Sequence, residues 1–104
     1  MILQSHIVDR ALYLAAVERE LAHQHLPVNQ QSAEILASLE AVRATLLENA
    51  ARRAPRTAED AVALLGMFVD RRLHYGLAAP HEAELEALAV RQCKGFVAGE
   101  VLAA

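Results

Sequence analysis

The three prolines of this chain, Pro27, Pro55 and Pro80, are spaced so that they leave room for helices and for little else. A proline ring removes a backbone donor and clashes with the turn before it, so a regular helix does not run through such a position. Asn29 reinforces the first break and Gly76 the third, and the stretches between are long and rich in alanine and leucine. The spacing predicts four helices, at approximately 3–25, 30–53, 57–75 and 80–102.

End signals agree with these bounds. Thr57 can cap the free amides of the third helix, Asp60 stands where a capping-box acid belongs, and Glu59 adds negative charge at the positive end of the dipole. Arg52 and Arg53 complement the end of the second helix, Gly76 suits a C-cap and Pro80 a first turn. Connections this short bring consecutive helices back on one another. The expected fold is therefore all-α, an antiparallel up-down four-helix bundle spanning residues 1–104 as a single helical domain. That arrangement gathers His23, His25, His74 and His81 at one pole and leaves His6 at the other.

A domain of 104 residues is small enough that self-association is an expected source of stability, so the bundle is open to completion by dimerisation. The composition is 55% apolar but only 4% aromatic, which favours close-packed helices with modest burial per residue. A formal charge of −3 argues against a nucleic-acid partner, which calls for a basic excess. Cys93 is the single cysteine, so no intramolecular disulfide points to an oxidising compartment. The opening MILQSHIVDR lacks a basic segment followed by an apolar run, and no stretch is long and apolar enough for a membrane span. The expectation is a cytoplasmic protein with no membrane partner.

Each helix turns by about 100° per residue, which assigns side chains to faces. The apolar stripe of the first helix runs through Ile7, Ala11, Leu14, Leu21 and Ala22, with Glu18 in its middle and His25 on the same line. The second presents Ile35, Leu39, Val42, Leu46 and Ala50, flanked by Arg43. The third presents Val62, Leu65, Phe68, Val69 and Leu73, with Arg72 near the centre. The fourth presents Leu85, Leu88, Ala89, Cys93 and Phe96, with His81 and Gln92 on the same side. Glu18 and Arg72 are therefore expected to pair, since either charge buried alone costs several kcal/mol. The plain reading of that pair is a device that fixes register, unless Arg72, about a turn from the helix end, reaches out to water instead. The functional one is a polar pocket of Glu18, His25, Arg72, His81 and Gln92 that takes a small anion or a metal.

Other patterns carry less. Glu20-x-x-His23 matches half of a di-iron carboxylate motif, but it points away from the stripe and no second copy exists. Asp70 and His74 share a polar face, as a surface pair does. Cys93 lies on an apolar line and reads as a small core residue. The arginines of RRAPR, Arg52, Arg53 and Arg56, are explained first by the helix end beside them. No phosphate loop, zinc-spaced cysteine pair or hydrolase motif occurs, so neither metal nor cofactor is expected.

The fourth helix has a second apolar line, Ala83, Ala87, Val90, Val97 and Val101, opposite the first. A helix apolar on two sides asks for a partner on two sides. The sequence thus predicts an association module with a regulatory or scaffold role, acting as a homodimer or with another protein, without catalysis. Its alternative is a metal- or small-anion-binding bundle whose site is the pole of His25 and His81.

Overall fold

The structure, a computed structural model, describes residues 5–103. Among them are four α-helices and no strand: α1 His6–Gln24, α2 Gln30–Ala51, α3 Ala58–Tyr75 and α4 Pro80–Ala103. The bounds agree with the sequence to within about two residues wherever they can be compared. The predicted start at residue 3 lies outside the described residues.

The helix ends are made by the residues that chemistry favours there. The Ser5 hydroxyl accepts from Val8 N at 3.2 Å. Asn29 and Ser32 form a reciprocal capping box on α2, with Ser32 N donating to Asn29 Oδ1 at 2.8 Å and Asn29 N to Ser32 Oγ at 3.0 Å. The Thr57 hydroxyl accepts from Asp60 N at 3.0 Å, while the Asp60 carboxylate turns towards His6. Gly76 ends α3 with φ +77°, a region that β-carbon-bearing residues rarely enter, and its N–H donates to Arg72 O at 2.9 Å.

The first turn of α1 lies beside the last turn of α2, since His6 reaches the carbonyl of Ala50. Packed on α2 and α3 from one side is α1; α4 packs on the same two helices from the other, and α1 and α4 do not meet among the described residues. The shared core holds Tyr13, Val17, Leu47, Leu64, Met67 and Phe68, closed by Leu85, Ala89 and Cys93. The chain is elongated and flat, 56 × 33 × 17 Å. Its radius of gyration is 15.4 Å, where a compact domain of this length has about 13 Å.

The expected faces hold for α4, whose Leu85, Ala89 and Cys93 are buried with Leu88 and Phe96 packed against them. In the other helices the buried line is displaced by about one residue, or 100°. In α1 it runs through His6, Asp9, Tyr13, Val17 and Glu20, and in α2 through Arg43, Leu47, Ala50 and Ala51. In α3 it runs through Asp60, Leu64, Met67, Phe68 and Arg71, leaving Val62 65%, Val69 53% and Leu73 77% exposed. The expected Glu18–Arg72 pair does not form: both side chains are exposed, and Arg72 donates to Glu86 Oε2 at 2.7 Å. The reason is that charged residues on the inner lines of α1, α2 and α3 meet opposite charges from other parts of the chain, so hydrophobicity alone misplaces these faces.

Candidate functional site: a charged interior beneath an apolar face

Burial of a carboxylate or guanidinium is tolerable when each finds its opposite. Arg43, on the inner line of α2, donates to Glu20 Oε2 at 2.6 Å and Oε1 at 3.3 Å, with both side chains about nine-tenths buried. Its guanidinium also lies 3.9 Å from the ring centre of Tyr75, a cation–π contact. Burial is the largest single influence and works against the Arg43 charge, but Glu20, Tyr13 and Tyr75 together outweigh it and hold the group above its ordinary value. Beside it Arg71 donates to Glu82 Oε1 at 3.0 Å and to the carbonyl of Gly76, which ties the α3–α4 turn to both helices. That hydrogen bond holds the Glu82 carboxyl below its usual range against the opposing effect of burial.

These groups border a cleft of about 240 Å³ formed by Arg43, Arg71, Tyr75 and Glu82 with Glu40 at its rim. Burial raises both Tyr13 and Tyr75, Tyr75 to about 12. Their hydroxyls are enclosed without a properly formed hydrogen bond, although Arg43 and Glu20 are near.

A second cluster occupies the opposite pole. Asp9 is fully buried and pairs with Arg53 across the α1–α2 contact. The next residue of α1, Arg10, reaches across α3 to Asp70, its Nε donating to Oδ2 at 3.0 Å. Gly66 makes that path possible, because a β-carbon there would lie 2.5 Å from the Arg10 guanidinium. His6 places Nε2 3.0 Å from Ala50 O and 3.1 Å from Arg53 O, so a side chain of α1 caps the end of α2.

The residues expected at a functional pole are not joined into one bonded cluster. Glu18, His25, Arg72 and His81 are exposed; Gln92 is half-buried, and its amide donates to Ala51 O at 3.4 Å. No hydrogen bond or ion pair joins any two of the five. Cys93 is buried with its thiol directed at Ala61 O, 3.5 Å away, and burial raises its pKa. No group of three or more histidine, cysteine or acidic side chains is gathered for a metal among the described residues. No helix among them is long and apolar enough to cross a membrane.

What the structure does assemble is an apolar outer face. Val62, Leu65, Val69 and Leu73 follow one another along the outside of α3 at helical spacing and are all exposed. Because α1 and α4 do not meet, this ridge has an open groove on each flank. One, of about 510 Å³, is bounded by Ile7, Ala11 and Leu14 of α1 and Val62 of α3. The other, of about 490 Å³, is bounded by Leu65 of α3 and Val90, Lys94 and Val97 of α4. The second apolar line of α4 borders it: Ala83, Ala87 and Val97 are exposed and Val90 is half-buried. The Val101 side chain lies outside the described residues. Compared with protein-family models, curated proteins and solved structures, the chain matches none of them.

Proposed function

We propose that this chain is a small helical association module that acts as a homo-oligomer, with a regulatory or scaffold role rather than catalysis. The observation that carries the reading is the uncovered ridge of α3, Val62, Leu65, Val69 and Leu73, between two apolar grooves. Exposed apolar area of this kind marks association sites. A second copy is the favoured occupant on grounds of area. The chain exposes 6872 Å², where a compact monomer of its mass exposes about 5,700 Å². The surplus of about 1,100 Å² is comparable to the roughly 800 Å² that each partner commits to a stable interface. A ridge flanked by grooves also suits a two-fold contact, in which the ridge of each copy enters a groove of the other. We assign the module to the cytoplasm because its single cysteine leaves no intramolecular disulfide to call for an oxidising compartment.

The test is solution mass across a range of concentrations by light scattering. The expected result is about twice 11.3 kDa for the wild type and monomer for Val69→Glu with Val97→Glu, both outward positions that leave the core untouched. A wild-type monomer at tens of micromolar, or a double variant with unchanged mass, would remove the reading. The alternative site at the His25 and His81 pole gains no support from those side chains, which are exposed and not hydrogen-bonded to each other.

A further inference from the structure

The arginines of the α2–α3 connection do more than face a helix end. Beside them lies a cavity of about 280 Å³, bounded by His6, Arg53, Arg56 and Asp60. Its deep wall is the His6 ring, only 2% exposed. Two backbone carbonyls face Nε2, so that nitrogen carries the hydrogen, and in the neutral ring Nδ1 offers a lone pair. Nδ1 has no hydrogen-bond partner, nor has Asp60 Oδ1, and the 4.0 Å from Nδ1 to Asp60 Oδ2 is too long for a direct bond. Buried polar atoms are ordinarily satisfied. Both of these want a donor.

The rim asks for something else. Arg56 is exposed and makes no hydrogen bond or ion pair. Arg53 adds a second guanidinium, already engaged with Asp9. The capped start of α3 contributes the positive end of a helix dipole. A guanidinium facing outward favours an oxyanion, while the lone pairs beneath it reject an oxyanion that has no hydrogen to give.

We propose that this cavity binds a small oxyanion that carries its own proton, namely phosphate, free or as a monoester. Its P–O⁻ oxygens take charge-assisted hydrogen bonds from Arg56. A P–OH donates to the Asp60 carboxylate, and in the dihydrogen ion, the main form of inorganic phosphate at pH 6.5, the second P–OH donates to the His6 Nδ1 lone pair. Sulfate has the same size and charge range but no proton near neutral pH, so it would set bare oxygens against the Asp60 carboxylate. Selectivity for phosphate over sulfate is therefore the signature of the site, and it is independent of whether the chain self-associates.

The experiment is isothermal titration of the full chain at pH 6.5, in a buffer free of both anions, with inorganic phosphate, glycerol phosphate and sulfate. Saturable phosphate binding with sulfate at least about tenfold weaker is expected, the scale of one lost charge-assisted hydrogen bond set against a carboxylate. Tighter binding of glycerol phosphate would identify a monoester as the ligand, and tighter inorganic phosphate the free ion. Arg56→Ala, at an exposed position, is expected to keep its helical circular dichroism and to weaken phosphate by about tenfold. Asp60→Asn, whose amide can donate, is expected to narrow the preference over sulfate; if it fails to fold, the wild-type comparison still decides. Absence of phosphate binding, equal binding of sulfate, or an Arg56→Ala variant that binds like the wild type would overturn the proposal.

Discussion

The two sides of α3 are built in opposite senses to a simple amphipathic helix. Its inner side buries Asp60, Asp70 and Arg71 among Leu64, Met67 and Phe68, whereas its outer side exposes Val62, Leu65, Val69 and Leu73. The same inversion runs through α1, where Asp9 and Glu20 are buried while Ile7, Val8 and Leu12 are exposed. Charge inside is stable here because nearly every buried ion has an opposite partner from another helix. Hydrocarbon outside has no such answer within one chain. The inner side therefore specifies how the four helices meet, and the outer side is what remains available to a partner.

The largest expected effect comes from breaking a match inside. Glu20→Ala leaves the Arg43 guanidinium buried and without its carboxylate, which should cost about 3–5 kcal/mol of unfolding free energy, read from urea denaturation. A loss below about 1 kcal/mol, the range of exposed pairs, would mean that the pair is not enclosed as described. Arg43 also sits on Tyr75, so the guanidinium cannot relax outward without giving up that contact.

Next in size is a contrast along α3 itself. Met67→Ala, at a fully buried position, should cost about 2–5 kcal/mol and leave the pattern of self-association unchanged wherever the chain is folded. Val69→Asp, half a turn away on the outer side, should cost the isolated chain less than about 0.5 kcal/mol and lower the solution mass. If Val69→Asp destabilises as much as Met67→Ala at concentrations where the chain is monomeric, the two sides of α3 are not distinct and the outer ridge belongs to the core.

These contrasts explain how much was legible beforehand. Helix number and bounds followed from Pro27, Pro55, Gly76 and Pro80, because breakers act locally, and the caps at Thr57 and Gly76 were legible with them, whereas the Ser5 cap and the Asn29–Ser32 box were not. The inner line of α4 was also legible, since its Leu85, Ala89 and Cys93 carry no charge. The faces of α1, α2 and α3 were not. His6, Asp9, Tyr13 and Glu20 recur at helical spacing, and that spacing of polar residues is also what a solvated face looks like. Only the complementary signs, Glu20 with Arg43 and Asp70 with Arg10, distinguish the two cases, and each partner is distant in sequence: 23 residues for one pair, 60 for the other. The His6–Asp60 cavity was hidden for the same reason.

A smaller effect is expected from acid. Glu82 has a folded-state pKa depressed below its ordinary 4.5 by Arg71, so its contribution is complete above that value and is lost as pH falls through the folded one. The wild type should lose stability below about pH 4.5 more steeply than Glu82→Gln, which has nothing to protonate. Parallel acid curves would show that Arg71 gains as much from the Gly76 carbonyl alone.

The smallest effect tests whether the interior tolerates a missing partner. Tyr75 keeps its hydroxyl buried without a proper hydrogen bond, although its ring supports Arg43. Tyr75→Phe retains the ring and removes a polar atom that gains nothing, so stability at neutral pH should shift by less than about 1 kcal/mol, in either direction. Alkali supplies the sharper contrast. Burial raises the Tyr75 pKa from 10.0 to about 12, so the unfolded chain ionises first and the wild type loses stability as pH rises from 10 towards 12. Tyr75→Phe should remove that part of the alkaline loss. A large destabilisation at neutral pH would instead mean that the hydroxyl is bonded, most directly to Glu20, and that the interior charge match extends one residue further than Arg43.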